Sequence, residues 1–381
     1  MKICFINPTK VLRRPIVELT SILAKKGHKI TLIYPEDKKR PLKNYHFTTL
    51  LKNKNITLKP IPSFEIEALR YSLPNPSSLI KTCSLALKTN DIVHIWEYYY
   101  PLSITPIILK HLKKYKAKII LTTDGLVGYT YKPNFLLTFV FRLYTTLLKD
   151  LLFKTPDKIT FYFNALKDQA KKLKLPMKKI LVIPTGINLE KFNVKSSDIR
   201  KEFKINKEKI LITFIGMLTE RKRPIMAIEA TKRLRKKYNI HTLIAGEGYL
   251  DKVLKQKARG IKEITFTGNR NDIPGILKET DILFSPGIGE GLPGVVMEAS
   301  ASKVPSVASR EGGTPDIVIH KKTGLLCNLN NEEEFYKNLE ILVKDKDLRK
   351  RYGLNAYNHI KKFSWNKVIK KYEQLYKDLK S

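Results

Sequence analysis

Residues 281–317 read DILFSPGIGEGLPGVVMEASASKVPSVASREGGTPDI, and this stretch decides the fold class. The apolar run Ile282–Ser285 predicts a buried strand, and Val295–Ser302 predicts a helix that follows a glycine-rich turn. Pro305–Ala308 predicts the next strand. A strand, a connecting helix and a second strand in this order are typical of a parallel α/β sheet.

The turn between the strand and the helix predicts an anion site. Glycine allows the backbone to approach a ligand closely, and Pro293 suits the first position of a helix. The N–H groups and dipole at such a helix start favour an anion such as a pyrophosphate. Glu298 lies about one turn inside, where a carboxylate can bind a vicinal diol such as ribose, and Glu290 lies in the loop itself. An ordinary glycine-rich βα loop is the alternative.

The same alternation extends over the whole chain in two series. The predicted strands of the first series are Lys2–Asn7, His28–Tyr34, Ile92–Ile95, Lys118–Thr122, Ile159–Phe163 and Ile180–Ile183, with a helix at Arg14–Lys26 that ends before Gly27. The second series starts at Ile210–Ile215 and continues with His241–Ala245 and Glu263–Thr267. The polar stretch Pro184–Lys209 is interpreted as a linker. We therefore expect two doubly wound, Rossmann-like domains that face a cleft, with ligands at the carboxyl ends of the strands.

The composition is that of a globular protein with an unusual charge. The 381 residues are 43% apolar, and 72 Lys and Arg against 35 Asp and Glu give a formal net charge of +37. Through Glu190 the count is 33 basic and 12 acidic residues, a net of +21. Such a surface attracts polyanions, anionic lipid and phosphorylated substrates, and a solvated lysine-rich surface is the alternative.

Several classes of protein are not expected from this sequence. The most apolar stretch, Phe135–Phe153, is interrupted by charged residues, so no transmembrane segment is predicted. The start MKICFINP has no charged region followed by a long apolar run, so no secretory signal is predicted. The three cysteines have no metal-ligand spacing, and Asp345–Asp347 is interpreted as a solvated helix start. No metal site is therefore predicted.

The segment EGLPGVVME, residues 290–298, resembles the Glu-x7-Glu motif of the retaining family 4 glycosyltransferases, which have the GT-B fold. Its flanks agree with that family, and so do VIPTGINLEKF and IGMLTERKRPIMAIEA further upstream. The final FSWNKVIKKYEQLY resembles the C-terminal helix that packs back on the first domain. The resemblance implies an acceptor-side domain over residues 1–190, a donor domain over 191–362, and that helix over 363–381.

The resemblance also implies a donor site, with a UDP- or GDP-sugar as the substrate and no cofactor. Glu290 would hold hydroxyls of the transferred sugar, Glu298 would bind the ribose, and Lys222 would neutralise the diphosphate. The backbone positions implied are Gly216, Gly291, Leu292, Pro293 and Gly294. Family members usually carry an arginine where this chain has Met217, so Arg221 or Arg223 is the candidate for the second cation.

The acceptor side departs further from the family. The loop NPTKVLRRP lacks the Gly-Gly pair that often follows the first strand. Asp124, in LTTDGLVGYTY, stands where many members carry a histidine. It is a candidate for stabilising an oxocarbenium-like centre or for taking the acceptor proton, and a turn-capping aspartate is the alternative. His94 is a further catalytic candidate at a strand end, with a core histidine as the alternative, and Glu97 is a nearby carboxylate.

The segment Tyr131–Phe153 is rich in Phe, Leu and Tyr and is flanked by basic residues, which is typical of an interfacial helix. A long core helix is the alternative. We expect a glycan or lipid-linked acceptor, contact with an anionic membrane surface, and a cytoplasmic protein on the inner face of the cell membrane. No RNA-recognition motif is present, so no specific nucleic acid is expected. A sugar-nucleotide epimerase or phosphorylase, or a non-catalytic basic scaffold, are the competing functions.

Overall fold

The computed structural model describes residues 1–37, 50, 53–66, 71–130, 134–195 and 197–380. It divides into two compact units, one formed by Met1–Gly186 with Asn366–Ser381 and the other by Ile187–Trp365. Part of the predicted interfacial segment, residues 131–133, lies outside the described residues. Within the described ranges, no helix is long and apolar enough to cross a membrane.

The first unit is built on one sheet, in which eight strands are described. They are β1 (Lys2–Ile6), β2 (Lys29–Glu36), β3 (Ile56–Ile66), β4 (Tyr71–Pro74), β5 (Ile92–Trp96), β6 (Lys118–Thr123), β7 (Lys158–Phe161) and β8 (Ile180–Val182). Their order is β4-β3-β2-β1-β5-β6-β7-β8. The strands pair in parallel except β3 with β4. The strand order reverses beside β1, and ligands of open α/β sheets bind at such a point.

Helices connect these strands where the sequence supplies start and stop signals. They are α1 (Arg14–Lys25), α2 (Pro76–Thr89), α3 (Pro101–Leu112), α4 (Phe135–Lys154) and α5 (Ala165–Lys172). Proline occupies the first turn of α1, α2 and α3, where a missing N–H costs nothing. The Asn75 and Asn134 side chains cap α2 and α4. After α1, Gly27 takes φ +87°, as the predicted helix stop requires.

The second unit has a fully parallel sheet, in which six strands are described. They are β9 (Ile210–Ile215), β10 (Ile240–Ala245), β11 (Ile264–Gly268), β12 (Ile282–Ser285), β13 (Ser306–Ser309) and β14 (Gly324–Cys327). Their order is β11-β10-β9-β12-β13-β14, again reversing beside the unit's first strand. The helices are α6 (Ile199–Glu202), α7 (Ile225–Leu234), α8 (Asp251–Lys257), α9 (Ile273–Glu279), α10 (Gly294–Ala301), α11 (Thr314–Ile317), α12 (Glu332–Lys344) and α13 (Lys346–Ile360).

The segment between the two series is packed into the second unit, so its interpretation as a linker is wrong for most of its length. Ile187 pairs with Ser364, and Phe192 is buried against the core of the second unit. Ser197 donates its backbone N–H to the carbonyl oxygen of Gly275 at 3.2 Å. The chain closes with α14 (Trp365–Lys380), most of which belongs to the first unit.

Candidate functional site

The loops after β9 and β10 pack backbone against backbone at the carboxyl ends of these strands. A Cβ on Gly246 would lie 1.9 Å from the carbonyl oxygen of Gly216, and one on Gly248 would lie 2.3 Å from that of Leu218. Only glycine therefore fits at Gly246 and Gly248. Gly216 itself has φ +156°, which few other residues adopt.

A cavity of about 360 Å³ opens beside these loops at the ends of β9, β10 and β11. It is lined by Ile215, Gly216, Met217, Ala245, Gly246, Glu247, Asn269, Arg270 and Ile273. Arg270 forms ion pairs with Glu202 and Asp272 at 2.9 Å, and these two carboxylates raise the pKa of Arg270 above its usual range. The guanidinium of Arg270 is therefore fixed by two ion pairs at the edge of the cavity.

Glu290 is bound by cations from the loop after β9. Its Oε1 lies 2.5 Å from Lys222 Nζ and 3.4 Å from Arg221 Nη1. The backbone carbonyl oxygen of Arg221 also accepts the N–H of Ile288 at 2.7 Å, and its guanidinium donates to the Gly289 carbonyl oxygen at 3.2 Å. The structure therefore brings Glu290, Lys222 and Arg221 together, as the sequence predicts for a donor loop.

Arg223 does not take part in this cluster. It adopts φ +51° at the end of a short 3₁₀ turn, and its guanidinium binds Glu332 at 2.6 Å and the carbonyl oxygen of Leu329 at 3.1 Å. Of the two arginines that the sequence left open, Arg221 is the one beside Glu290.

The Glu290 loop rests on Glu311, Gly312 and Gly313. A Cβ on Gly312 would lie 1.7 Å from the carbonyl oxygen of Glu290, and Gly313 donates its N–H to the Gly291 carbonyl oxygen at 2.6 Å. Glu311 accepts the Gly289 N–H at 2.9 Å. Burial and the charge of Glu290 raise the pKa of Glu311. The sequence analysis did not identify Glu311, which stands directly before these two glycines.

The helix α10 begins at Gly294, one residue before the predicted start. Pro293 precedes it in an extended conformation and is buried, while Gly291 and Leu292 form the partly exposed approach. Glu298 lies partly exposed one turn into α10. The first turn of α10 therefore presents N–H groups at the end of β12, as an anion site requires.

A second polar cluster lies at the carboxyl ends of β5 and β6 in the first unit. Arg13 Nη1 binds Glu97 Oε1 at 2.7 Å and Asp124 Oδ2 at 3.1 Å. The Glu97 side chain has no exposed surface, whereas that of Asp124 is 43% exposed. The three residues join the ends of two strands to the loop after β1, so Asp124 is the accessible member.

The surroundings of Glu97 favour its protonated form. The Thr123 hydroxyl lies 2.6 Å from the Gly125 carbonyl oxygen, which only accepts, and 2.7 Å from Glu97 Oε2. The single hydroxyl proton can serve only one of these two acceptors, so a proton on Glu97 would allow both contacts to be hydrogen bonds. The pKa points the same way, since burial and the charge of Asp124 raise that of Glu97 to about 8 against the opposing effect of Arg13. Glu97 also has φ +60°, an unfavourable conformation for a glutamate.

His94 is corrected from a catalytic candidate to a core residue. Its ring is fully buried within β5 and stacks on Trp96, with ring centroids 4.1 Å apart. Nδ1 lies 2.8 Å from the Tyr376 hydroxyl of α14, and Nε2 lies 2.6 Å from the Thr122 hydroxyl. Burial holds the pKa of His94 well below its usual range. Both nitrogens are therefore engaged inside the first unit.

Arg13 is the residue of this cluster that sequence reasoning missed. It lies in the loop NPTKVLRRP, which drew attention only because it lacks glycine. The signal available was a pair of arginines directly before a proline-started helix at a strand end. Burial opposes its charge, but Glu97 and Asp124 raise the pKa of Arg13 further above its usual range. The guanidinium therefore stays charged.

Known families and proteins resemble both units. The family model described as "Glycosyltransferase Family 4" matches residues 14–191, and "Glycosyl transferases group 1" matches residues 195–359. UDP-Gal:α-D-GlcNAc-diphosphoundecaprenol α-1,3-galactosyltransferase of Escherichia coli is 29% identical over 225 residues. That match spans 55% of this chain and 57% of the E. coli enzyme.

Two further similarities extend over nearly the whole chain. N-acetyl-α-D-glucosaminyl L-malate synthase of Bacillus anthracis is 23% identical over 372 residues, which are 95% of this chain and 92% of that enzyme. The crystal structure of HepE from Anabaena in complex with UDP superposes with a TM-score of 0.79 at 14% identity. It covers 99% of this chain and 100% of HepE. At 14% identity, the similarity to HepE concerns the fold alone.

Proposed function

The chain belongs to the group 1, family 4-type glycosyltransferases with the GT-B fold, and from this premise we propose a specific reaction. The protein transfers a sugar from a UDP-sugar to a lipid-linked glycan acceptor, with retention of the anomeric configuration. The observation that carries the proposal is the ion pair of Glu290 with Lys222, which holds a donor-type loop in place.

The donor loop has the charges that a nucleotide-diphosphate sugar needs. Negative charge develops on the diphosphate as the glycosidic bond breaks, and positioned cations and N–H groups stabilise it. Lys222 and Arg221 supply the cations, and the start of α10 supplies the N–H groups. When sugar hydroxyls occupy the Glu290 carboxylate, the ammonium of Lys222 becomes free to pair with the diphosphate. Retention is supported by the resemblance of residues 290–298 to the motif of retaining enzymes.

The nucleoside is assigned to the surface beside the donor loop. Glu298 binds the ribose hydroxyls, and the cavity beside Gly216 and Gly246 takes the base. A uridine nucleotide is supported by the likeness to HepE, solved with UDP, and by the UDP-Gal in the name of the E. coli relative.

The acceptor is assigned to the first unit, at Asp124. Its carboxylate is the accessible member of the cluster with Arg13 and Glu97, so it can receive the acceptor hydroxyl proton or stabilise positive charge at the reacting carbon. A lipid-linked acceptor is supported by the diphosphoundecaprenol in the name of the E. coli relative.

A thermal-shift experiment tests the donor assignment. UDP-glucose, UDP-galactose, UDP-N-acetylglucosamine and GDP-mannose are each added to the wild type. A donor at a hundred times its Kd stabilises the native state by about 2.7 kcal/mol, a Tm rise of roughly 5–10 °C for a unit of this size. Glu298→Gln should lose the rise, whereas Glu333→Gln, an exposed glutamate paired with Arg233, should keep it.

Turnover then tests the reaction class. The identified UDP-sugar is incubated with α-D-GlcNAc-diphosphoundecaprenol, and the anomeric configuration of the product is read by NMR. We expect UDP release that depends on the acceptor and an α-linked product from an α-linked donor. Inversion of the anomeric carbon, or turnover of the donor without any acceptor, would contradict the proposal.

A further inference from the structure

The helix α4 carries an apolar face that is exposed. Its members are Phe135, Leu136, Phe139, Val140, Leu143 and Leu147, spaced three or four residues apart, and they are called here the apolar face of α4. Phe135 is 91% exposed, Leu147 71% and Phe139 59%. Residues at this spacing share one side of a helix, so they form one continuous stripe.

The first half of α4 is apolar on its outward side as well as on its inward side, where Leu137, Phe141 and Leu148 are partly buried. A surface helix normally turns its apolar side to the core and its polar side to water. Here Thr145 is buried and the Tyr144 hydroxyl donates inward to the Tyr98 carbonyl oxygen at 2.7 Å. The inward side continues into the last turns, where Leu152 and Phe153 are fully buried. The core of the unit therefore does not use the apolar face of α4.

The charge around the helix selects the kind of partner. Phe135–Lys149 contains Arg142 and Lys149 but no acidic residue, and Asp150 is paired with Lys154 at 2.8 Å. The chain through Glu190 has a net charge of +21. Like charges of this size oppose the docking of a second copy on the same face, whereas an anionic bilayer attracts it.

We propose that the apolar face of α4 inserts into the interfacial region of an anionic lipid bilayer and anchors the first unit there. Phenylalanine and leucine side chains enter the boundary between headgroups and acyl chains, and the surrounding lysines and arginines bind lipid phosphates. The helix lies along the surface and does not cross the bilayer.

The same helix contacts the loops after β5 and β6, which carry Glu97 and Asp124. An anchor at α4 therefore has a consequence for acceptor binding. The Arg142 side chain donates to the Gly128 carbonyl oxygen at 2.8 Å, and Gly128 lies four residues after Asp124. The Tyr99 and Phe141 rings are 5.5 Å apart, and Tyr99 follows Glu97 closely. A bilayer bound to α4 is therefore close to Asp124, which suits an acceptor delivered by its lipid. This consequence rests on the proposed function, whereas the anchor itself does not.

Vesicle sedimentation tests the anchor directly. The full chain is mixed with vesicles of equal parts phosphatidylcholine and phosphatidylglycerol, or of phosphatidylcholine alone, at low and high salt. We expect binding to the anionic vesicles that weakens with salt. The double variant Phe135→Ser, Phe139→Ser should lower the partition coefficient on the order of tenfold for each phenylalanine. Leu354→Ser removes a leucine of α13, in the second unit, that is comparably exposed, and should bind as the wild type does.

A direct reporter and two further readouts make the outcome decisive. In Phe139→Trp the new indole should shift its emission to the blue on anionic vesicles and be quenched by brominated lipid. Unchanged emission, or full vesicle binding by the double serine variant, would overturn the proposal. So would light scattering that shows a wild-type dimer and a monomeric double variant, because a second copy would then cover the face.

The thermal shifts of the same proteins with the four sugar nucleotides separate this proposal from the proposed function. Vesicle binding without a donor shift would leave the anchor standing and remove the transfer reaction. A donor shift without vesicle binding would do the reverse. The double serine variant should keep the wild-type donor shift, since no α4 residue lies in the second unit.

Discussion

The proton on Glu97 can be tested by the change Glu97→Gln. Glutamine has the shape of a neutral glutamic acid: its amide N–H group can donate to Thr123, and its oxygen can accept from Arg13. The hydrogen bonds of the wild type are therefore kept while the titrating group is removed. If Glu97 is instead ionised in the wild type, the change to glutamine removes a buried negative charge beside Arg13.

The expected effect follows from the difference in pKa between the two states. Burial raises the pKa of Glu97 to about 8 in the folded protein, against its ordinary value of 4.5. Between these values the native state binds a proton that the unfolded chain has lost, so the stability due to this group is complete below pH 4.5 and falls as the pH rises to 8. Each pH unit in this window lowers the free energy of unfolding by about 1.4 kcal/mol, or roughly 3–5 °C in Tm.

The assay is thermal unfolding at a series of pH values from 5 to 9. The Tm of Glu97→Gln minus that of the wild type should rise steadily through this window and level off above about pH 8. Glu65→Gln is the matched control, since it removes a carboxylate that pairs with Lys10 at 3.0 Å in the same unit. Parallel curves for the wild type and Glu97→Gln would show that Glu97 is ionised and would refute the proton assigned to it.

Three further predictions concern the donor loop and the core histidine. Lys222→Ala should lower kcat by about 10²- to 10³-fold, since it removes a cation that faces the leaving diphosphate. A loss below tenfold in an assay of UDP release would contradict that role. Gly312→Ala should weaken UDP binding in a calorimetric titration, because its Cβ would lie 1.7 Å from the Glu290 carbonyl oxygen, and unchanged affinity would show that the loop tolerates the shift. His94→Phe should lower the free energy of unfolding by about 1–3 kcal/mol, because it leaves the Tyr376 hydroxyl unpaired. Donor affinity should be unchanged. A lower kcat at unchanged stability would restore a catalytic role for His94.

Much of the fold was predictable because strands buried on both faces are continuous apolar runs. The strands predicted at Lys2–Asn7 and Ile210–Ile215 are confirmed within a residue. The strands β3 and β4 were missed, because ITLKPIPSFEI contains two prolines and prolines argue against a central strand. In the structure β4 is the edge strand of the sheet and pairs antiparallel with β3.

The candidate sites also differ in how far the sequence alone predicts them. Residues 287–298 are continuous in sequence, so the pattern of glycines, Glu290 and Glu298 was visible there, and its donor role is proposed from the resemblance to the family 4 motif. The cluster of Arg13, Glu97 and Asp124 joins Arg13 to a glutamate 84 residues away, and no local sequence pattern predicts such a contact. His94 and Asp124 both belong to strands or strand ends, yet one is buried and the other is accessible.

The sequence by itself determined the two α/β series, the parallel sheets and the loop that identifies the family. These features follow from local periodicity and from the short spacing of the glycines and glutamates in residues 287–298. The tertiary structure decided which arginine faces Glu290, that Glu97 is enclosed with Arg13, and that α4 turns its apolar face outward. Periodicity shows that a helix has an apolar side, but only the packing of the remaining chain decides whether that side meets the core or the surface.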